Sequence, residues 1–202
     1  LRRAAPPPRR PAGKTQINLF FEDSTRTNLS FDLAGKKLGA DVINVPVAAS
    51  SVHKGETMID TAQTMAAMGA HLMIVRAKEE DLHYALDETL SCAIVNGGAG
   101  KREHPTQALL DAAAVRSEFG TLEGLTIAIC GDIKHSRVAG SDARLFQRLN
   151  ANIRFVGPKH LMPSDDQFTD IPRFHNLKDG LNGADVAMAL RMQFERMEGD
   201  GK

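Results

Sequence analysis

The residues best suited to chemistry lie in the stretch FFEDSTRTNLSF, where three hydroxyl side chains surround one arginine directly after an apolar run. The four residues are Ser24, Thr25, Arg26 and Thr27. Backbone N–H groups at a helix N-terminus attract anions, and a guanidinium offers paired donors that suit phosphate. Helix capping by Ser24 or Thr25 would explain one hydroxyl. It would not explain three around an arginine, so the pattern favours a phosphate site.

A second stretch, EHPTQALLD, has a histidine ahead of a proline that suits the first turn of a helix. His104 could donate a hydrogen bond to a carbonyl oxygen, and Gln107, one turn further on, could bind an amide. Taken alone, this stretch slightly favours the plainer interpretation of a loop histidine followed by a surface glutamine.

Four further candidates also follow or join apolar runs, and each has an ordinary explanation as surface charge. They are Arg76 after LMIV, Lys54 in the loop SSVHKGE, Arg137 in GDIKHSR and Arg191 in LRMQFER. Two arginines at strand ends can clamp a dicarboxylate through paired hydrogen bonds. Together, the clusters suit a protein that joins a phosphorylated donor to an anionic acceptor.

The elements that must position these clusters alternate between strands and helices. Short apolar runs predict strands at 17–21, 41–45, 72–76, 92–96, 126–130, 153–156 and 186–190. Segments between them predict helices at 27–38, 56–68, 80–90, 105–118 and 141–149. This alternation is typical of α/β proteins with parallel sheets and right-handed crossovers. The clusters then fall at the C-terminal ends of strands, where open sheets bind ligands.

Composition divides the chain into a tail and two domains. Residues 1–14 hold four Arg, one Lys and four Pro, which predicts a disordered basic tail. The segment FGTLEGL at 119–125 predicts a linker between domains at 15–119 and 125–202. Because the second series of strands is short, we expect two doubly wound parallel-sheet domains, the second one truncated at its C-terminus.

Charge and cysteine content exclude several classes of function. The 25 basic and 25 acidic residues balance, which argues against a nucleic-acid binder. No apolar run reaches the roughly 18 residues that span a bilayer, so no membrane partner is expected. Two cysteines without a CxxC motif argue against disulfides or zinc and favour a reducing compartment such as the cytoplasm. A nucleotide-binding Rossmann protein is a weaker alternative, because the turn after 126–130 lacks GxGxxG.

With its motifs in this order, the chain resembles the aspartate/ornithine carbamoyltransferase family. STRT matches the family's carbamoyl-phosphate loop and HPTQ its second signature, and the remaining clusters agree in order and spacing from Thr15 to Met197. Glu22 and the KGE and RxQxER segments resemble the aspartate branch. The resemblance implies transfer of the carbamoyl group of carbamoyl phosphate to L-aspartate, giving N-carbamoyl-L-aspartate and phosphate in de novo pyrimidine synthesis, without a metal or cofactor.

The resemblance also implies a role for each candidate residue. STRT would bind the phosphate, Arg76 would bridge the phosphate and the carbonyl oxygen, His104 would polarise the carbonyl, and Gln107 would hold the carbamoyl amide. The aspartate carboxylates would be held by Arg137, Arg191 and Gln193. Lys54, with Ser50, would enter a neighbouring subunit's site in a homotrimer with shared active sites. The expected catalytic set is His104, Arg76 and Lys54.

Some alternatives stay open beside this interpretation. The family's later HPLP segment is absent from the sequence, so we expect a truncated chain that falls short of full activity and stability. A catalytically weak or silent transcarbamoylase-like subunit that serves in assembly is one alternative, and the ornithine branch is another. A regulatory or dihydroorotase-like partner also stays open.

Overall fold

The chain forms two compact α/β units. The computed structural model describes residues 11–45, 56–164 and 166–191. The first unit spans Leu1–Gly100 and the second Lys101–Lys202. Within the described ranges each unit contains a four-stranded sheet with parallel strands, and the second sheet is short. The predicted fold class, two parallel-sheet α/β units, is confirmed.

The first unit alternates strands and helices along the chain. Its elements are β1 (Thr15–Phe20), α1 (Thr25–Leu38), β2 (Asp41–Val45), α2 (Met58–Ala67), β3 (Leu72–Ala77), α3 (Leu82–Thr89) and β4 (Ala93–Ala99). The strands lie in the order β2-β1-β3-β4. The chain steps outward from β1 to β2 and in the opposite direction from β3 to β4. The strand order therefore reverses between β1 and β3, the kind of switch point at which open α/β sheets bind ligands.

The sheet of the first unit buries an apolar face and a polar face. Leu19, Met73 and Leu86 are almost fully buried in its core. Side chains alternate across a strand, so Gln16 and Asn18 lie on the opposite face, where Gln16 Nε2 donates to Asn18 Oδ1 at 2.9 Å. The same Nε2 donates to a carbonyl oxygen of α1 at 3.1 Å. The helix that opens with STRT is thereby fixed to the sheet.

The second unit begins with a helix and continues with the second sheet. Its elements are α4 (Pro105–Phe119), β5 (Thr126–Cys130), α5 (Arg137–Arg148), β6 (Asn152–Val156), a single 3₁₀ turn (Lys159–Leu161), β7 (Arg173–Phe174), α6 (Leu177–Leu181) and β8 (Val186–Ala189). Strand order is β7-β6-β5-β8, so the switch point lies between β5 and β8. Ile127, Phe146 and Phe155 are fully buried in the core, and α4 packs against α5.

Several element bounds differ from the predicted ones for local reasons. The helix predicted at 27–38 begins two residues earlier, at Thr25, with Ser24 at its N-cap position. The helix predicted at 141–149 begins at Arg137, because the Ser136 hydroxyl caps it by accepting from Ala139 N at 3.2 Å. Neither β7 nor α6 was predicted, since elements of two and five residues are too short to show a period.

Most of the predicted tail lies outside the described residues, and the predicted linker does not coincide with the division between the two compact units. Residues 1–10 lie outside the described residues, and Lys14 N donates to Pro11 O at 2.9 Å in a turn ahead of β1. The chain passes from one compact unit to the other at Gly100–Lys101, which groups α4 with the second unit. The sequence places its domain boundary later, at 119–125, and that boundary stays a prediction.

Candidate functional site

The STRT residues lie at the switch point of the first sheet. Ser24 is the N-cap of α1, and the next three residues form its first turn, which contains no acidic side chain. Ser24 makes no capping hydrogen bond, so the capping interpretation does not explain its hydroxyl. In the part of the chain that the structure describes, none of the four side chains has a hydrogen-bond partner. The helix dipole and these donors together suit an anion.

Arg76, near the end of β3, contacts the loop that leads into this turn, and its guanidinium is held in place. The residue is only 7% exposed. Its Nη1 donates to Gly97 O at 3.2 Å, and its Nη2 pairs with Glu22 Oε2 at 3.0 Å. Phe21 N donates to Arg76 O at 2.7 Å, which ties the loop before α1 to the end of β3. A fixed cation therefore accompanies the hydroxyl donors at the same switch point.

A short hydrogen-bond network holds the peptide group whose carbonyl, Gly97 O, accepts from Arg76. Asn96 Oδ1 accepts from Gly98 N at 2.8 Å, and Asn96 Nδ2 lies 3.3 Å from His83 Nε2. An amide nitrogen only donates, so this contact is a hydrogen bond from Asn96 to the ring. His83 shows no ligand spacing in the sequence, so no motif singled it out. The sequence also gave no sign that Glu22 pairs with Arg76.

In the second unit, both predicted residues of HPTQ are held by partners. His104 is the N-cap of α4 and is 7% exposed. Its backbone N donates to Ser141 Oγ on α5 at 2.9 Å. Gln107 Nε2 donates to Asp111 Oδ1 at 3.0 Å, one turn along α4. The sequence had singled out neither Ser141 nor Asp111. The four-residue spacing of Gln107 and Asp111 on a helix was the one available signal.

The two predicted carboxylate-binding arginines follow β5 and β8, the strands at the second switch point. Arg137 is the first residue of α5 and is buried, whereas Arg191 is exposed two residues after β8 ends. Gly131 between them has φ of 117°, and a Cβ there would lie 3.0 Å from Leu190 O. The close approach of the two strand ends therefore requires glycine.

A buried turn positions Arg137 at the start of α5. Asp132 is fully buried, and its Oδ1 accepts from His135 Nδ1 at 2.8 Å and from His135 N at 3.2 Å. Ser136 then caps the helix.

Three predicted residues cannot be placed by the structure. Lys54, Ser50 and Gln193 lie outside the described residues, so their roles stay predictions.

Within the described ranges, no group of three or more His, Cys, Asp or Glu side chains could hold a metal ion. Among the helices of those ranges, none is long and apolar enough to cross a membrane.

The first sheet has hydroxyl and arginine donors at its switch point, and the second sheet has two arginines at its own. This arrangement defines an α/β protein suited to anionic small molecules. The family model for "Aspartate/ornithine carbamoyltransferase, carbamoyl-P binding domain" matches residues 2–117. The chain belongs to the aspartate/ornithine carbamoyltransferase family.

Relatives of known name agree with this assignment. The aspartate carbamoyltransferase catalytic subunit of Methylorubrum populi is 54% identical over 187 residues, which cover 93% of this chain and 59% of the relative. That of Acidiphilium cryptum is 55% identical over 186 residues, with 92% and 60% covered. This chain thus spans about 60% of the length of the curated relatives it matches.

Solved structures are similar over the same extent. The crystal structure of Trypanosoma cruzi aspartate transcarbamoylase in complex with N-(phosphonacetyl)-L-aspartic acid has a TM-score of 0.84 at 36% identity, with 93% of this chain and 64% of that chain covered. The same enzyme in complex with carbamoyl phosphate and aspartate has a TM-score of 0.83 at 36% identity, with 92% and 62% covered.

Proposed function

We propose that this chain carries substrate-binding residues of an aspartate carbamoyltransferase. The reaction transfers the carbamoyl group of carbamoyl phosphate to the amine of L-aspartate, giving N-carbamoyl-L-aspartate and phosphate in de novo pyrimidine biosynthesis. The observation that carries the proposal is the STRT turn, whose side-chain donors are unpaired among the described residues. The loop that leads into this turn holds the buried guanidinium of Arg76 through Glu22. The names of relatives more than 50% identical to this chain point to the same substrates.

The proposed chemistry is acyl transfer by positioning and electrostatics. STRT and the first turn of α1 hold the phosphate, and Arg76 bridges the phosphate and the carbonyl oxygen. His104 polarises the carbonyl, and Gln107 holds the carbamoyl amide. The aspartate nitrogen forms a bond to the carbonyl carbon while the carbon–oxygen bond to phosphate breaks. Phosphate leaves with that electron pair, the amine loses a proton, and the cationic groups stabilise the negative charge that develops.

In the proposed function, L-aspartate, which accepts the carbamoyl group, is bound by residues that follow strands of the second sheet. Arg137 and Arg191, together with Gln193, hold the two carboxylates of aspartate. Two guanidinium groups favour a dicarboxylate and disfavour a cationic side chain. Ornithine carries an ammonium group at that point, so the arginine pair supports aspartate as the acceptor.

We further propose a division into two domains, a homotrimeric assembly and a cellular location. The carbamoyl-phosphate-binding domain comprises residues 15–119 and the aspartate-binding domain residues 125–202, and the end of the family match at residue 117 supports this boundary. Lys54, with Ser50, completes a neighbouring subunit's site in a homotrimer. Two free cysteines, Cys92 and Cys130, support a reducing location such as the cytoplasm.

A ureido-product assay tests the proposal. The purified chain is incubated with carbamoyl phosphate and either aspartate or ornithine, with an Arg76→Ala variant as the blank. We expect product above the blank with aspartate and none with ornithine. Product with ornithine alone would overturn the choice of acceptor, and absence of product with both would overturn the proposed activity.

A further inference from the structure

The side-chain amide of Gln107 is held in one orientation. Asp111 lies four residues further along α4, and Gln107 Nε2 donates to its Oδ1 at 3.0 Å. A carboxylate has only acceptors, so the amide must present its nitrogen to Asp111. Gln107 Oε1 is then turned to the opposite side, where no donor from the described residues contacts it.

A second carboxyl, that of Asp142, interacts electrostatically with Asp111. Asp142 on α5 is fully buried, and neither of its oxygens has a hydrogen-bond partner among the described residues. Burial, together with the charge of Asp111, raises the pKa of Asp142 to about 8. Burial also raises the pKa of Asp111, but the hydrogen bond from Gln107 opposes that rise. The Gln107 hydrogen bond thus favours the charged form of Asp111, whereas Asp142 has no such partner among the described residues.

We propose that Asp111 is a positioning residue that turns Gln107 Oε1 toward the NH₂ group of the carbamoyl substrate. This inference rests on the proposed function, in which Gln107 contacts the carbamoyl amide. A carbamoyl NH₂ is a donor and needs an acceptor. With the opposite amide orientation, the Gln107 NH₂ would face the substrate NH₂, and two donors would oppose each other. Asp111 excludes that orientation without touching the substrate.

Two stable ligands separate this role from a general effect on folding. Phosphonoacetamide and phosphonoacetone share a phosphonate and a carbonyl, but the first ends in NH₂ and the second in CH₃. We expect the wild-type chain to bind phosphonoacetamide more tightly in calorimetric titrations. The Asp111→Ala variant should lose about 3- to 10-fold of that preference, the value of one hydrogen bond. Its affinity for phosphonoacetone should stay unchanged.

Two further variants define the controls. Gln107→Leu should lose the same preference, and adding Asp111→Ala to it should cause no further loss, because both changes remove one contact. Glu118→Ala removes an exposed carboxylate from the same helix and should keep the wild-type preference. If Asp111→Ala does not fold, Asp111→Asn takes its place, since an asparagine amide no longer enforces one orientation. That variant should show a smaller preference than wild type.

The outcomes separate the inference from the proposed function. A full preference in the Asp111 variant, with loss in Gln107→Leu, would overturn the inference and leave the proposed function intact. Equal wild-type binding of the two ligands would also overturn the inference alone. A wild-type chain that binds neither ligand would overturn the proposed function, and the inference with it.

Discussion

At the scale of single residues, Arg76 shows why the proposed site requires a guanidinium. Its two terminal nitrogens have different partners, the Gly97 carbonyl and the Glu22 carboxylate. The planar fork holds both contacts in one fixed geometry, which a lysine ammonium cannot reproduce. The positive charge is thereby held against Glu22, in the loop that precedes α1.

Replacing Arg76 by lysine should weaken phosphate binding while keeping the charge. We expect Arg76→Lys to bind inorganic phosphate about 10-fold more weakly than wild type in calorimetric titrations, because the paired geometry is lost. Arg116→Lys, at an exposed position in the last turn of α4, is the matched control and should bind as wild type does. Equal phosphate affinity in Arg76→Lys and wild type would contradict the assigned role of Arg76.

Asp142 should make the stability of the chain depend on pH. Its pKa is about 8 in the folded chain and about 3.8 when exposed. Between these values the unfolded chain releases the proton while the folded chain keeps it, so stability falls as pH rises from about 4 to about 8. We expect Asp142→Asn to flatten this dependence and to raise the free energy of unfolding at pH 8 by about 1–4 kcal/mol.

Urea unfolding at a series of pH values measures this effect. Glu118→Gln, which removes an exposed carboxyl from α4, serves as the control and should follow the wild-type profile. The account of Asp142 would be wrong if its variant and wild type lost stability in parallel across the same pH range.

At the scale of elements, serine occupies the N-cap position of both α1 and α5, but only one of the two side chains caps its helix. Ser136 caps α5 through a hydrogen bond from Ala139 N, whereas Ser24 makes no such bond at α1. We expect Ser136→Ala to lower the free energy of unfolding by about 1 kcal/mol. Ser24→Ala should leave stability nearly unchanged but weaken the binding of inorganic phosphate. Denaturant unfolding and phosphate titration of both variants check this, and the reverse pattern would show that Ser24 is a structural cap.

The approach of α1 to its sheet depends on Gly35. A Cβ at this position would clash with Gln16 Oε1 and lie 2.6 Å from Val42 Cγ2. We expect Gly35→Ala to lower the free energy of unfolding by about 1–3 kcal/mol through overpacking.

Gly140 on α5 is the matched control, because a Cβ there would meet only Arg144 Nη1 and a ring atom of Phe168, at 3.6 and 3.8 Å. Gly140→Ala should therefore stabilise the chain by up to about 1 kcal/mol. Equal effects on thermal unfolding would contradict this account of the packing.

At the scale of the whole molecule, the sequence predicts the sheets and the ends of their strands well. The longer strands are apolar runs bounded by polar turns, so β1, β3 and β5 are confirmed close to their predicted bounds. The strand order was not predicted, because parallel pairing leaves no local signal. It is this order that places STRT and Arg76 at one reversal, and Arg137 and Arg191 at the other.

The partners of the candidate residues were much harder to predict. Glu22, His83 and Ser141 act on residues far away in the sequence, and no spacing rule connects them. Asp111 differs, because it lies one helical turn from Gln107 and helical periodicity could have identified it. Sequence patterns therefore indicate which side chains face a ligand site. The contacts that hold those side chains in place require the fold.

Equal numbers of acidic and basic residues give the chain no net charge, yet its proposed function depends on where a few arginines lie. The most direct test is a calorimetric comparison of two bisubstrate mimics, phosphonacetyl-aspartate and phosphonacetyl-ornithine. The account predicts binding of phosphonacetyl-aspartate that weakens in both Arg76→Ala and Arg137→Ala, with little binding of phosphonacetyl-ornithine. Tighter binding of phosphonacetyl-ornithine, or no binding of phosphonacetyl-aspartate, would contradict it.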